Sequence, residues 1–211
     1  MQLEKELENL KQMLLKMGDV VVDNITQAMN VFTNNDELTT INDDIVDQYE
    51  RLIEEICINI LLRERPYASD LKQVTGILKL VADVERIGDH AEDVMNFSTK
   101  LKDIPKKHSQ SIDNLAKYVL QMLKNSILSY INSDLELANE VIKQDDYVDQ
   151  KYLEIVEELA HPQDCNQEYV PFAIYTTLVV KYLERIADHS VNIAEWVIYM
   201  INGYHKDKKI Y

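Results

Sequence analysis

The sequence predicts an all-α protein built from two tandem, homologous three-helix bundles, six long helices in total. Three observations support this fold class: apolar residues recur every three or four positions over long stretches, turn residues are scarce, and the chain contains an internal duplication. Only four glycines and four prolines occur in 211 residues, too few for the turns of a β-sandwich or barrel. Long helices joined by short loops pack as antiparallel bundles.

Composition and charge narrow the possible functions. Hydrophobic residues make up 46% of the chain, which is enough for a core and argues against a disordered protein. The formal net charge of −15 repels phosphate backbones, so nucleic-acid binding is not expected. Two distant cysteines indicate neither a disulfide framework nor a zinc site. The sequence shows no signal-peptide h-region and no membrane-length apolar run, which predicts a cytoplasmic protein without membrane insertion.

Three helices are predicted in the first half. The first spans about 3–32, and the second runs from about Asp36 until Pro66 stops it. Ser69 is the predicted N-cap of a third helix that lasts to about Leu101. The predicted core positions on this third helix are Ile77, Val81, Val84, Ile87 and Ala91.

Three more helices are predicted in the second half. The fourth spans about 111–132, and Asp134 is the predicted N-cap of a fifth that ends near Ala160. The sixth begins near Pro171 and ends at Gly203, a favourable residue just beyond a helix. Its predicted core positions are Val179, Leu183, Ile186 and Val197.

Two motifs occur twice, in the same order. Residues 43–48 return as 145–150, and residues 85–90 return as 184–189, each with five of six positions identical. Two separate motifs repeated in order indicate a duplicated bundle, since the period is too long for a solenoid. The predicted first repeat, second repeat and frayed tail span residues 1–104, 109–203 and 204–211, respectively.

Each repeated motif contains two acidic residues four positions apart. Side chains at this spacing share one helix face, so the two carboxylates repel each other. A divalent or trivalent cation turns that repulsion into attraction, and hard cations prefer oxygen ligands. The predicted metal ligands are Asp43, Asp47, Glu85 and Asp89 in the first half, and Asp145, Asp149, Glu184 and Asp188 in the second.

Four further oxygen donors are secondary candidates. Asp44 and Asp146 lie beside the first pair of each half, and Asp93 and Asn192 lie four residues beyond the second pair. All of the acidic pairs flank the predicted apolar stripes, so the sites are expected to be open and near the surface.

His90 and His189 invite comparison with ferritin-like di-iron sites. Those sites use Glu-x-x-His, whereas each histidine here directly follows an aspartate and lies five residues after the glutamate. We therefore expect the histidines to pack between helices or to orient a ligand rather than bind metal directly. Arg86 and Arg185 are expected to pair with neighbouring carboxylates.

Three interpretations follow from the residues alone. One is a regulator that binds partner proteins, with metal as a structural or sensory ligand. Another is a carboxylate-bridged oxidase or a metal-assisted phosphohydrolase. The third is a metal-free helical scaffold whose acidic pairs are solvated and met by salt bridges. No nucleophile elbow, glycine-rich phosphate loop or catalytic triad pattern occurs, so no catalytic residue is assigned and a non-enzyme is favoured.

The repeated Glu-Arg-Ile-x-Asp-His segment carries a resemblance to a known family. Residues 83–91 and 181–195, together with 65–71 before the third predicted helix, are similar to the PhoU family of bacterial phosphate-transport accessory and regulatory proteins. The likeness covers nearly the whole chain in length, helix count and duplication.

That resemblance implies two three-helix bundles side by side, with multinuclear metal clusters on the paired Glu/Asp-x-x-x-Asp motifs. Iron is the first choice of metal, otherwise zinc, manganese, magnesium or nickel. The resemblance also implies that the protein is a negative regulator of the phosphate-starvation response. The implied partners are the ATPase of a phosphate-specific transporter and a membrane sensor kinase, and a homodimer is expected. Asp93 stands where the second half has Asn192, and Asn96 where it has Glu195, so the two sites are expected to differ in nuclearity or affinity.

Overall fold

Six helices account for nearly all of the residues that the computed structural model describes, namely 2–34, 41, 43–63, 67–101, 110–161, 169–205 and 208–209. They are α1 (Gln2–Asn34), α2 (Asp43–Arg63), α3 (Ala68–Lys100), α4 (Gln110–Asn132), α5 (Leu135–Ala160) and α6 (Tyr169–Asn202). The predicted all-α fold is therefore confirmed. Within these described ranges, no helix is both long enough and apolar enough to cross a membrane.

The helices form two three-helix bundles that share a long interface. Helices α1, α2 and α3 pack against one another, as do α4, α5 and α6. The bundles meet where α3 packs on α6 and where α1 packs on α4. The core positions predicted for the third and sixth helices are all buried, at Ile77, Val81, Val84, Ile87, Ala91, Val179, Leu183, Ile186 and Val197.

Helices α3 and α6 run antiparallel. Contacts along their interface pair Thr75 with Tyr199, Asp83 with Asn192, and Phe97 with Tyr175. Residue numbers thus rise along α3 as they fall along α6. Near the midpoint the rings of His90 and His189 lie 5.4 Å apart. Because these two histidines are equivalent in the repeat, the interface has an approximate twofold axis there.

Two predicted helix ends are confirmed. The Asp134 carboxylate accepts hydrogen bonds of 3.0 Å from the backbone N–H groups of Glu136 and Leu137, which caps α5. Gly203 follows α6 with φ of 77°, a conformation that costs glycine little. Its N–H donates to the Tyr199 carbonyl at 2.8 Å, which closes the helix.

Two predicted helix starts are wrong. Ser69 lies inside α3, because the Leu71 N–H already donates to the Tyr67 carbonyl and closes the first turn before it. Tyr67 is the N-cap and makes no side-chain cap hydrogen bond. The predicted start of the second helix at Asp36 lies outside the described residues, but Ile41 is not helical and α2 begins at Asp43. The acidic first turn of α2 suits the positive end of the helix dipole.

The prediction of a frayed tail without strands is corrected by a short antiparallel pairing of Tyr204–His205 with Lys208–Lys209. The His205 ring stacks on Trp196 of α6 with centroids 3.9 Å apart, and this contact holds the first strand on the bundle. Residues 102–108, the predicted boundary between repeats, lie outside the described ranges, so the domain limits stay predictions.

Candidate metal centres

Helices α2 and α3 bring the first group of carboxylates together at Gly88. A Cβ atom at Gly88 would lie 3.1 Å from Val46 Cγ1 and 3.4 Å from Asp43 Oδ1, so the missing side chain lets α2 approach α3 closely. Burial raises the pKa of Asp43, and the charges of Asp47 and Asp89 raise it further. The carboxylates of the two helices therefore repel one another at this contact.

Glu85 is the most strongly perturbed member of the first group. Burial raises its pKa to about 7, helped by the charges of Asp89 and Glu50 and opposed by Arg86. Glu50 was not predicted as a site residue. Its own pKa is raised, first by burial and then by neighbouring acids that include Asp47. The sequence signal for Glu50 is its position three residues after Asp47, which places both on one helix face.

The second group forms between α5 and α6. Burial raises the pKa of Asp145 to about 6, and the charges of Asp188 and Asp149 add to the shift. Burial followed by the charge of Glu184 also raises the pKa of Asp188. Among the described residues, the buried Oδ1 of Asp145 has no hydrogen-bond partner. Buried polar atoms are nearly always hydrogen-bonded, so this orphaned oxygen fits a site that receives a cation.

The secondary candidates divide between the sites and the interface of the repeats. Asp44 contributes to the raised pKa of Asp43, and Asp146 does the same for Asp145. The other two turn toward the α3–α6 interface instead. The Asn192 amide donates to Asp83 Oδ1 at 3.2 Å, and Asp93 accepts a hydrogen bond from the Tyr182 hydroxyl.

Protein cations hold several of the predicted ligands. Within the described part of the chain, no three His, Cys, Asp or Glu side chains stand together in a geometry that could hold a metal ion. Four of the predicted ligands form ion pairs instead. Arg51 binds Asp47 at 2.9 Å, Arg86 binds Asp89 at 3.0 Å and Glu85 at 3.6 Å, and Lys181 binds Glu184 at 2.5 Å. Such partly exposed pairs are weak, so the carboxylates can turn toward an ion at small cost. An all-oxygen donor set of this kind suits hard cations such as Mg²⁺, Mn²⁺ and iron.

Among the described residues Arg185 makes no ion pair with a carboxylate, so the pairing expected for it is not observed there. Its guanidinium lies 5.4 Å from the centroid of the Tyr182 ring, a cation–π contact. The equivalent Arg86 has Asp83 at that position instead of a tyrosine, and it binds Glu85 and Asp89. The aromatic ring therefore draws one arginine away from the acids that its counterpart contacts.

The histidines pack between the repeats, as expected from the sequence. The His189 Nδ1–H donates to Asp83 Oδ1 at 2.8 Å. Burial lowers the pKa of His90 to about 4, and the charges of His189 and Arg185 lower it further. Its ring also contacts Tyr182, with centroids 5.1 Å apart. Both imidazoles thus belong to the α3–α6 interface.

Comparison with known proteins shows the same duplicated domain. The PhoU domain matches residues 14–97 and 112–197, one match in each repeat. The phosphate-specific transport system accessory protein PhoU homolog of Clostridium acetobutylicum is 34% identical over 97% of this chain and 96% of its own length. The corresponding PhoU of Serratia marcescens is 31% identical over 96% of this chain and 85% of its own length.

Two solved structures share the fold. The crystal structure of PhoU from Pseudomonas aeruginosa superposes with a TM-score of 0.87 at 32% identity, covering 95% of this chain and 99% of that one. The crystal structure of the phosphate transport system regulatory protein PhoU from Streptococcus pneumoniae superposes with a TM-score of 0.88 at 26% identity, covering 98% of this chain and 100% of that one. Given two domain matches that cover most of the chain and relatives aligned over nearly its full length, the chain belongs to the PhoU family.

Proposed function

We propose that this protein is a cytoplasmic, non-enzymatic regulator of phosphate uptake and of phosphate-starvation signalling. In this proposal it acts by binding the ATPase of a phosphate transporter and a sensor kinase, and it carries metal ions on its two carboxylate groups. The relatives from Clostridium and Serratia are named accessory proteins of a phosphate-specific transport system, which supports the role in phosphate transport.

One observation supports the metal part of the proposal above all. Each repeat brings a carboxylate pair from one helix against a pair from the next, and burial and mutual repulsion raise the pKa values of Glu85 and Asp145 to about 7 and about 6. Such repulsion weakens the fold unless a cation relieves it. The eight predicted ligands would hold the ions, with Glu50 as an additional oxygen donor in the first group. Bound ions would supply the positive charge that the acids lack.

Exposed apolar side chains support the partner-binding part. Leu62 at the end of α2 is 75% exposed, and Leu153 on α5 is 64% exposed. Apolar surface of this kind is typical of protein-interaction sites when it is clustered. The proposed partners come from the family resemblance.

The metal part is tested by metal content and melting temperature. Wild-type protein purified without an affinity tag and reconstituted under reducing conditions should bind iron, manganese or zinc. At a hundredfold excess over the dissociation constant the metal stabilises the native state by about 2.7 kcal/mol. For a chain of this size that corresponds to a rise of about 5–10 °C in melting temperature.

A double variant provides the matched comparison. D89N/D188N should bind no metal and melt like the chelated wild type, since each change also relieves repulsion. D19N, at an exposed acid of α1 outside both groups, should behave as wild type. If wild-type protein binds none of the three metals at either group, the metal part of the proposal is wrong.

The regulatory part is tested in cells and with purified partners. Deleting the gene should leave phosphate-starvation genes expressed in phosphate-rich medium, and the wild-type gene should restore their repression. The purified chain should also bind the cognate transporter ATPase and sensor kinase in a pull-down assay. Failure of both experiments would remove the regulatory role.

The predicted homodimer belongs to the same proposal. Light scattering should give twice the chain mass of 24.6 kDa at micromolar concentration. A monomeric mass over a wide concentration range would reject it.

A further inference from the structure

A cavity at one end of the α3–α6 interface lies apart from both carboxylate groups. Its volume is about 540 Å³, and most of its wall is apolar. A cavity of this size holds a small organic molecule. Thr75 in its wall precedes Glu85 of the first group by ten residues, or roughly 15 Å along α3. The residues that line the cavity are Ala68, Leu71, Lys72, Thr75, Tyr199, Asn202 and Gly203.

Lys72 supplies a cation at the edge of this cavity. Its side chain is half-buried, and its Nζ would lie 3.7 Å from a Cβ atom at Gly203. Among the described residues, no carboxylate pairs with this ammonium and no carbonyl accepts a hydrogen bond from it. Asp and Glu outnumber Lys and Arg by 37 to 22 in this chain, so a lysine without an acidic partner is unexpected. Its charge is available to an anion in the cavity.

Two hydroxyl groups meet in the cavity wall. The Thr75 hydroxyl donates to the Leu71 carbonyl at 2.8 Å, so toward Tyr199 it can act only as an acceptor. The two hydroxyl oxygens lie 3.5 Å apart. That distance exceeds the roughly 2.5–3.0 Å of an ordinary hydroxyl hydrogen bond. Tyr199 is 3% exposed, and buried hydroxyl groups usually have a partner. Its proton can therefore be donated to a ligand.

The first turn of α3 adds backbone N–H groups to the same wall through Ala68. Its N-cap, Tyr67, makes no side-chain cap hydrogen bond, and the positive end of the helix dipole favours an anion there. In the second repeat the positions of Lys72 and Thr75 are taken by Pro171 and Ile174, which offer neither a cation nor a hydroxyl. The duplicated fold therefore does not require these polar groups.

We propose that this cavity binds a small organic anion, with the apolar body of the ligand inside the cavity and its anionic group at Lys72. The proposal is independent of the metal ions and partner proteins proposed above. Burial of the apolar body supplies affinity. The ammonium and the Tyr199 hydroxyl orient the anionic group and select against a neutral molecule of the same shape, because hydrogen bonds to a charged group are the stronger ones.

Two fluorescent probes with the same apolar body test the proposal. Anilinonaphthalene sulfonate is the anionic probe, and phenylnaphthylamine is the neutral one. The folded wild-type chain should bind the anionic probe at a single site. K72M should weaken that binding about tenfold, because it removes the charge and keeps the apolar stem. It should leave the affinity for the neutral probe unchanged. K72R keeps the charge and should bind both probes as the wild type does.

K79M is the matched control. Lys79 is an exposed lysine of α3 that does not line the cavity, so this variant should bind both probes as the wild type does. Y199F removes the buried donor and should weaken the anionic probe about threefold. Because Lys72 has no partner among the described residues, K72M should also keep the wild-type melting temperature, which shows that the variant is folded.

The position of the bound probe is measured by NMR. Adding the anionic probe should shift backbone amide resonances in residues 68–75 and 199–203. Inorganic phosphate has the charge without the apolar body, so at millimolar concentration it should not displace the probe. Equal affinities of wild type and K72M for the anionic probe would overturn the proposal. Displacement by phosphate, or shifts confined to other parts of the chain, would overturn it as well.

Discussion

The two carboxylate groups derive from one duplicated motif, yet they balance their charge differently. In the first group the counter-charges are Arg51 and Arg86, whose side chains are 71% and 62% exposed. In the second group Lys181, with 37% of its side chain exposed, contacts Glu184 and Tyr152. The acids have persisted through the duplication while the surrounding cations have diverged. Equivalent ligands therefore need not make equivalent sites.

The polar contacts between the repeats show a similar asymmetry. On one side of the approximate twofold axis, His189 lies 2.8 Å from Asp83, which also accepts the Asn192 amide. On the other side, His90 lies 3.9 Å from Asp93, too far for a hydrogen bond. Asp83 thus binds two residues of α6 by hydrogen bonds, whereas its counterpart on the other side, Asp93, accepts one, from the Tyr182 hydroxyl.

The largest expected change in the free energy of unfolding concerns this asymmetry of the interface. D83A removes the acceptor of two half-buried donors, His189 and Asn192, and should cost about 2–3 kcal/mol of stability. D93A removes a more exposed carboxylate that accepts only the Tyr182 hydroxyl, and should cost about 1 kcal/mol or less. Urea unfolding of both variants in the presence of chelator measures the difference. Equal losses would show that the two sides of the interface contribute alike.

A smaller effect should appear in the pH dependence of stability, through Glu85 of the first group. The pKa of Glu85 is about 7 in the folded chain and about 4.5 when unfolded, so the folded state binds its proton more readily. Ionisation of Glu85 therefore destabilises the fold progressively as pH rises between these values, and the loss is complete above them.

The isosteric variant E85Q isolates that effect. Without metal, the free energy of unfolding of E85Q should exceed that of the wild type by about 1–2 kcal/mol near pH 8. One pKa unit is worth about 1.4 kcal/mol before screening by water. Near pH 5 the two should be almost equally stable. Titrating groups far from Glu85 cancel in the comparison, and the relief of repulsion on Asp89 and Glu50 adds to the difference at high pH. A difference that does not change with pH would contradict the role given to Glu85.

The smallest effect tests the helix contact at Gly88. G88A gains helix propensity but forces Val46 and Asp43 to give way, so the net change in stability should stay below about 1 kcal/mol. Its metal affinity at the first site should nevertheless fall, because Asp43 is displaced. A187G, the matched change in the second repeat, removes a buried methyl group and should leave metal affinity there unchanged. The result to look for in calorimetry is a loss of affinity in G88A alone.

Much of the fold follows from local patterns that the sequence contains. Apolar periodicity identified the buried faces of α3 and α6, and the cap at Asp134 marked the start of α5 because its chemistry is local. The repeated motifs placed four acids on each pair of neighbouring helices. Periodicity could not fix the start of α3, because the turn closed by Tyr67 uses only backbone groups.

The partners of the charged side chains were less predictable. Arg86 and Arg185 occupy the same motif position, so the sequence suggests the same role for both. Their different contacts follow from the residue three positions earlier on the same helix, which is Tyr182 before Arg185 and Asp83 before Arg86. Lys181 also lies against a ring of another helix, at Tyr152. Spacing along α6 allows the contact of Arg185 with Tyr182 but does not select it over a carboxylate, and only the packing of α5 on α6 reveals the contact with Tyr152.

The antiparallel packing of α3 on α6 has a consequence for the origin of the fold. Two equivalent helices that meet about a twofold axis form the contact typical of a symmetric dimer, here enclosed within one chain. A single ancestral repeat would have exposed the face of α3 that now carries Asp83, His90 and Phe97, and a second copy is the natural surface to cover it. Fusion into one chain then freed each copy to change its own counter-charges, which an identical pair cannot do.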